Sequence, residues 1–123
     1  MSFSVDISRF AEQAEISVDE AARNVQIKLF NSVSNDTRVD TGRLRGNWQT
    51  NVGSPITTET DRLDPNGTQV ERDIQQNVTS GDVVYFTNNL PYAEVWEQED
   101  GMVRRNMARI ERTVNEVGRD VRR

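Results

Sequence analysis

The sequence predicts an α+β domain in which a small antiparallel β-sheet packs against long N-terminal and C-terminal amphipathic helices. Apolar residues recur at helical spacing in residues 7–33 and again in residues 102–121. Short β-forming runs lie between these two segments, together with a long polar loop over residues 61–81. The length of 123 residues fits one domain, residues 1–123.

The two end helices carry apolar stripes whose members are alternately four and three residues apart. In the first helix the stripe is Ile7, Ala11, Ala14, Val18, Ala21, Val25 and Leu29. In the last helix it is Val103, Met107, Ile110, Val114, Val117 and Val121. Asp6 is a candidate N-cap of the first helix. The stripes predict that the helices pack on each other, as domain core or with surface left for a neighbouring subunit.

Three short runs favour β-strands: residues 48–52, 56–60 and 82–87. Gly53-Ser54-Pro55 separates the first two runs and predicts a β-hairpin. The third run is the clearest strand, because four consecutive residues from Val83 to Phe86 are β-formers. The sequence therefore predicts a small antiparallel sheet between the helices.

Residues 61–81 are polar and contain the turn signal Pro65-Asn66-Gly67. Val70, Ile74 and Val78 lie at helical spacing, which leaves a short amphipathic helix open as an alternative. We expect a projecting or mobile loop, because the segment is too polar for core and long loops in small domains are usually functional or disordered.

Composition narrows the function classes. The chain has no Cys and no His, which removes disulfides, thiol nucleophiles, imidazole bases and the usual zinc ligands. Only 34% of the residues are hydrophobic, so we expect neighbouring subunits to supply part of the stability. The net charge is −5, but residues 101–123 carry seven basic and three acidic residues. This basic end is either a solvated helix end or a contact with an acidic partner surface. No signal peptide or membrane span is apparent, so we expect synthesis in the cytoplasm.

Two local patterns resemble a catalytic site and a metal site. In both cases a structural role accounts for the surrounding residues better. Asp40-Thr41-Gly42 is the triplet of aspartic proteases, but Arg43 and Arg45 follow where that pattern needs small and apolar residues. We expect Asp40 to cap a turn, so that Asp40→Ala costs about 1 kcal/mol. An acidic cluster at residues 94–100 lacks the alternation of a calcium loop, and negative charge suits the start of the following helix. We therefore expect no enzyme, no cofactor and no metal.

Three segments resemble the small tail-completion proteins of tailed bacteriophages, also called neck, head–tail joining or minor tail proteins. Residues 39–48, VDTGRLRGNW, look like the family signature V-D-T-G-x-L-R-x-S/N-W after the first helix. Residues 84–93 are similar to its strand-and-turn, and residues 101–104, GMVR, open the last helix of the branch this chain resembles. The family often has a Gly-containing turn after the residue that matches Glu97, whereas this chain has Gln98-Glu99-Asp100. The matched residues are Asp40, Thr41, Gly42, Leu44, Arg45, Trp48, Tyr92, Ala93, Glu97, Gly101, Met102, Val103 and Arg104.

The resemblance implies a non-enzymatic structural protein of the virion, made in the host cytoplasm and located at the head–tail interface. Family members commonly form a ring of six between the head–tail connector, or adaptor, and the tail terminator or tail tube protein. The implied partners are copies of this chain and those neighbours, with no membrane and no direct nucleic-acid contact required. In this reading Asp40 and Thr41 fix a turn, Gly42 gives the backbone room, and Leu44 and Trp48 enter the core. The alternatives are a tail terminator or other connector ring, and a phage-encoded protein-binding regulator.

Overall fold

Six helices and one two-stranded antiparallel sheet make up the part of the chain that the structure describes, residues 7–79 and 81–120. The structure is a computed structural model, and for residues 116–120 it describes the backbone only. The elements are α1 (Ile7–Ala14), α2 (Val18–Asn35), α3 (Arg43–Gly46), β1 (Trp48–Val52), α4 (Thr68–Asn77), β2 (Val84–Asn88), α5 (Ala93–Asp100) and α6 (Met102–Asp120). The prediction of a small α+β fold is confirmed. Within those two ranges, no helix is both long enough and apolar enough to cross a membrane.

The helices α2 and α6 lie side by side. Val25 of α2 packs with Ile110 and Val114 of α6, and all three side chains are buried. Burial of such side chains contributes about 1.5–3 kcal/mol each, so this contact stabilises the helical layer. Of the predicted α6 stripe, the side chain of Val117 and the whole of Val121 lie outside the described residues.

The prediction of one continuous N-terminal helix is wrong, because the chain breaks between α1 and α2. Glu15 has a φ of 58°, a left-handed conformation that L residues seldom adopt. Ser17 then caps α2 by accepting a hydrogen bond from the Glu20 N–H at 3.1 Å. Ser17 and Glu20 have the S-x-x-E spacing of a helix start. The break lets α1 fold back onto both α2 and α6. The candidate cap Asp6 lies outside the described residues.

The sheet pairs β1 with β2, so that Trp48 lies opposite Asn88 and Val52 lies opposite Val84. The predicted hairpin between residues 48–52 and 56–60 is therefore wrong. Gly53 does not turn the chain back onto β1, because its N–H donates to the Val83 carbonyl oxygen at 2.8 Å.

Residues 56–60 form no strand and cross the face of the sheet that points away from the helices. Side chains on that face hold the segment through its carbonyl oxygens. Gln49 Nε2 donates to Thr58 O at 2.7 Å, and Thr87 Oγ1 donates to Ile56 O at 3.1 Å. Side-chain hydrogen bonds therefore hold this segment, and it takes no part in the backbone pairing of the sheet.

Aromatic stacking joins the inner face of the sheet to α2. The Phe86 ring lies between the rings of Phe30 and Trp48, with centroid distances of 4.5 and 4.7 Å. The rings are nearly parallel, and such pairs contribute about 0.5–1.5 kcal/mol beyond their area burial. Because Phe86 and Trp48 point to the helical layer, Gln49 and Thr87 point to the opposite face.

The prediction of a projecting loop over residues 61–81 is wrong, because α4 lies within it and packs in the core. The apolar side chains of this segment contact Trp48 and Met102. They are Val70, Ile74 and Val78, and each is 0% exposed. The alternative of a short amphipathic helix is confirmed. Few apolar residues suffice when all of them share one face of the helix.

Polar contacts hold this segment against the sheet. Asp64 is 3% exposed, and its carboxylate accepts the Val70 N–H at 2.8 Å. The Arg62 guanidinium donates to the carbonyl oxygens of Gly46 and Trp48 at 2.9 and 3.0 Å and pairs with Asp73 at 2.6 Å. Arg62 thereby covers the outer edge of β1.

Candidate functional site

Two of the three motif segments meet at the hydroxyl group of Thr37. Thr37 Oγ1 lies 2.7 Å from Val33 O and accepts a hydrogen bond from Trp48 Nε1 at 2.8 Å. The same oxygen lies 3.5 Å from Met102 Sδ. The end of α2, the first motif and the start of α6 are thus joined in the interior. Thr37 was not among the predicted motif residues, and its buried position gives it this role.

Arg45 clamps the first motif to the C-terminal end of α2. Its guanidinium donates to Ser34 O and Asn35 O, each at 2.9 Å, and to Pro65 O at 2.6 Å. Carbonyl groups at a helix C-terminus lack partners within the helix and carry partial negative charge, so a cation there stabilises the end. Arg45 therefore acts as a structural residue.

Gly42 allows the chain to pass close to Pro65. Its φ of 91° is left-handed, and a Cβ at this position would overlap the backbone nitrogen of Pro65. The Gly42 carbonyl oxygen also accepts the Asp64 N–H at 3.0 Å. The room that the resemblance assigns to Gly42 is thus used by residues 64–65.

The predicted capping role of Asp40 is wrong within the described residues. Thr41 Oγ1 instead accepts the Arg43 N–H, at 3.3 Å. Asp40 is exposed, and no hydrogen bond joins its carboxylate to the described chain. Asp40 therefore presents a carboxylate to solvent beside the corner.

Leu44 and Ala93 connect the first motif to the second. They are buried together with Leu90 in one cluster, and the Trp96 ring packs against it. Asn88 Nδ2 adds a hydrogen bond to Leu44 O at 2.8 Å. Leu44 and Trp48 enter the core as the resemblance implies.

Glu97 and Arg104 cap each other's helices where α5 meets α6. The Glu97 carboxylate accepts the N–H groups of Val103 and Arg104 at 2.8 and 3.2 Å. The Arg104 side chain donates to Glu97 O and Gln98 O at 3.1 and 3.3 Å. Gly101 ends α5 with a φ of 64°. Both helix ends therefore gain the partners that a helix lacks internally.

This arrangement leaves a groove of about 350 Å³ on the surface, between the corner and α5. Its lining includes Arg38, Asp40, Thr41, Leu44, Tyr92, Val95 and Trp96. Val95 and Tyr92 are 52% and 38% exposed, and the neighbouring Val39 is 43% exposed. Apolar side chains at such exposure form a patch that a protein partner can cover.

Arg38 forms one rim of the groove. Its guanidinium lies 3.8 Å from the centre of the Trp96 ring. Arg38 Nε and Nη2 also donate to the two carboxylate oxygens of Asp100 at 2.9 and 2.8 Å. These hydrogen bonds hold the pKa of the Asp100 carboxyl below its ordinary value of 3.8. The Arg38 guanidinium is therefore occupied by Asp100 and Trp96, whereas the Asp40 carboxylate on the same rim is exposed to solvent.

The groove places the open carboxylate of Asp40 beside apolar side chains. The protease triplet lies on its wall, but the residues around Asp40 are Thr41, Arg43 and aromatic or aliphatic side chains rather than a second carboxylate. Across the described ranges, no group of three or more acidic residues is placed to hold a metal ion. An apolar groove floor beside one unpaired carboxylate is complementary to a partner surface that presents an apolar side chain next to a cation.

Two of the basic residues in the segment 101–123 have specific partners at the start of α6. Arg104 caps α5, and Arg105 pairs with Asp36 at 3.2 Å. These arginines lie in the first turn, where the helix dipole disfavours cations, so their specific partners account for them rather than the dipole.

Comparison of the chain with family models, with curated proteins and with solved structures finds no match. The fold and the groove define a small α+β protein with an exposed apolar surface.

The motif residues divide into an interior group and a surface group. Leu44, Trp48, Ala93 and Met102 are buried, whereas Asp40, Thr41 and Tyr92 are exposed along the groove. Sequence reasoning missed Arg38 and Val95 as groove residues. In the sequence, Arg38 directly precedes the first motif segment and Val95 follows the second, and nothing else marks them as groove residues.

Proposed function

We propose that this chain is a non-enzymatic structural protein of a tailed bacteriophage virion. In this proposal it completes the neck, as a ring subunit that links the head–tail connector to the tail terminator or tail tube. The family resemblance supplies the class. The single observation that supports assembly is the exposed apolar groove at the point where the motif segments converge.

The contact that we propose for the groove is a neighbouring copy of the chain. The groove joins apolar Val95 and Tyr92 to the open carboxylate of Asp40, a composition typical of protein interfaces. The chain carries many arginines that can face this carboxylate from a second copy. A ring of six copies, the number that the resemblance implies, repeats one such heterologous contact around an axis.

The test uses a charge in the groove and a matched charge elsewhere. Val95→Asp places a carboxylate in the apolar surface, and Val18→Asp changes a valine of equal exposure, 52%, at the start of α2. We expect the unchanged chain and Val18→Asp to form rings, visible by electron microscopy and native mass measurement. Val95→Asp should keep its melting temperature and remain monomeric.

Addition of the purified proteins to separated phage heads and tails tests the role in the virion. We expect the unchanged chain and Val18→Asp to join them, and Val95→Asp to fail. A stable monomer that neither assembles nor joins heads to tails would favour the regulator alternative. Rings formed equally well by Val95→Asp would remove the groove from the subunit contact.

A further inference from the structure

The α6 helix presents a basic face to solvent. Arg105, Arg109 and Arg112 are exposed and lie four and three residues apart, so they share one side of the helix. Ala108 is exposed among them. The apolar stripe of α6 lies on the other side, where it packs with α1 and α2. We call residues 105, 108, 109 and 112 the basic face.

The arginines of the basic face are poorly matched by acidic groups of their own molecule. Arg105 pairs with Asp36 at 3.2 Å. Arg109 Nη1 donates to the neutral side-chain oxygen of Asn106 at 3.3 Å, and no acidic side chain of the described residues pairs with Arg109 or Arg112. Like charges three and four residues apart on a helix repel each other. An acidic surface placed over this face would therefore stabilise it.

The groove between the corner and α5 carries the opposite charge. Glu94 precedes the exposed Val95 in α5, and Glu99 follows it by one turn; both glutamates are exposed. Asp40 lines the groove on the side of the corner. The two other carboxylates of α5 are held by partners within the molecule. The groove is thus an apolar surface bordered by three carboxylates.

The two surfaces also match in their apolar parts. Val95 and Tyr92 are largely exposed in the groove. An arginine lays its aliphatic stem on apolar surface while its charged end reaches a carboxylate, and a guanidinium also stacks favourably on a tyrosine ring. Ala108 has a small side chain, which lets the α6 backbone come close to Val95. The basic face therefore offers both the charge and the apolar cover that the groove lacks.

We propose that the basic face of α6 from a second copy of the chain docks in the groove between the corner and α5. The guanidinium groups of Arg109 and Arg112 face the groove carboxylates, and Ala108 with the arginine stems covers Val95. The charges select the partner surface. This inference rests on the proposed function, which makes a neighbouring copy the partner of the groove. Because the two surfaces differ, each chain can bind one neighbour through its groove and another through its basic face.

Charge reversal of each surface tests the contact. Arg109→Glu with Arg112→Glu reverses the basic face, and Glu94→Lys with Glu99→Lys reverses the border of the groove. Each double variant alone should need at least about tenfold more protein than the unchanged chain to form rings, because like charges then meet. Native mass measurement and electron microscopy detect the rings.

An equimolar mixture of the two double variants should assemble again. Each chain in the mixture meets a neighbour of opposite charge at both of its surfaces, so the rings should contain the two variants in alternation. A mixture that stays monomeric would overturn the contact. Rings formed by either variant alone, at the protein concentration that the unchanged chain needs, would overturn it as well.

Matched reversals elsewhere separate this contact from a general effect of net charge. Lys28→Glu with Arg72→Glu, and Glu12→Lys with Glu71→Lys, change the charge equally at exposed positions outside both surfaces. These controls should form rings as the unchanged chain does, and melting temperatures show that all the variants fold. An equal loss of rings in the controls would assign the effect to net charge and overturn the contact.

The outcomes also separate this contact from the proposed function. Rings in the unchanged chain and equally in both reversal variants would overturn the α6 contact and leave the ring standing. An unchanged chain that forms no rings and fails to join heads to tails would overturn the proposed function and this contact with it. Dimers alone, in the unchanged chain and again in the mixture, would support the charge contact but contradict the ring.

Discussion

Residues 61–78 and residues 38–44 differ in opposite ways from what their sequences suggest: the first region is core, and the second lies at an exposed surface. Residues 61–78 have the composition of a loop, yet they supply three fully buried side chains and the helix α4. The corner at residues 38–44 has the composition of a structural turn, yet with α5 it forms an exposed groove. Average polarity therefore does not decide burial; the arrangement of a few apolar side chains does.

The difference follows from what each region packs against. The α4 helix meets Trp48 and the sheet on its apolar side, and Arg62 and Asp64 satisfy the polar groups that this packing buries. Of the two aliphatic side chains in the corner, Leu44 is buried and Val39 is exposed. Four substitutions, from the largest expected effect to the smallest, test this division into interior and surface.

Ile74→Ala should give the largest effect. Ile74 is 0% exposed in the core, and truncation of a buried isoleucine costs about 2–5 kcal/mol in the free energy of unfolding. Gln75→Ala changes the adjacent exposed residue and serves as the control, with stability nearly unchanged. Denaturant unfolding of the two variants measures the effect. Equal stability would restore the interpretation of this segment as a loop.

Thr37→Val should destabilise the corner from within. The substitution keeps the shape but removes the acceptor of the Trp48 indole N–H. A buried donor left without a partner costs about 1–3 kcal/mol. Thermal unfolding should show that Thr37→Ser, which keeps the hydroxyl, retains most of the stability. If the valine and serine variants are equally stable, the hydrogen bond has no net role.

Asp40→Ala should leave stability unchanged within about 0.5 kcal/mol, because the side chain is exposed and caps no described N–H group. This replaces the loss of about 1 kcal/mol expected for a cap. The melting temperature measures the change in stability. The comparison is Thr41→Ala, which removes the hydroxyl that accepts the Arg43 N–H. A loss near 1 kcal/mol in Asp40→Ala alone would return the capping role to Asp40.

Asp100→Asn should give the smallest effect, and one that depends on pH. Arg38 lowers the pKa of folded Asp100 below 3.8, so the unfolded state binds the proton more readily. The stabilisation is present above that ordinary pKa and is lost as the pH falls below it. The difference between the melting temperatures of the two proteins should therefore be full near pH 6 and shrink as the pH falls below 3.8. A constant difference across this range would exclude ionisation of Asp100 as the cause.

Much of the local structure was predictable from the sequence. The 4-3 spacing from Val103 to Val114 predicts α6, and the β-formers of residues 82–87 predict β2. The S-x-x-E spacing of Ser17 and Glu20 also marks the start of α2, although the longer apolar stripe obscured it. These features were readable because their contacts lie within a few residues along the chain.

Strand pairing and the groove were not predictable in the same way. Gly53-Ser54-Pro55 favours a local hairpin, but β1 pairs with the distant β2, and side chains such as Gln49 hold the intervening segment. Val95 and Arg38 are far apart in sequence and become neighbours only through Trp96. Local patterns carry no information about such non-local contacts.

By itself, the sequence determined the fold class, most of α2 and α6, and the strand β2, because periodicity and β-propensity act over one or two turns of chain. The tertiary structure alone decided that residues 61–78 are core and that the corner is surface. Burial depends on which distant element lies opposite each side chain. For α4 that element is the inner face of the sheet. For the corner it is α5, which covers Leu44 but leaves Val39 exposed.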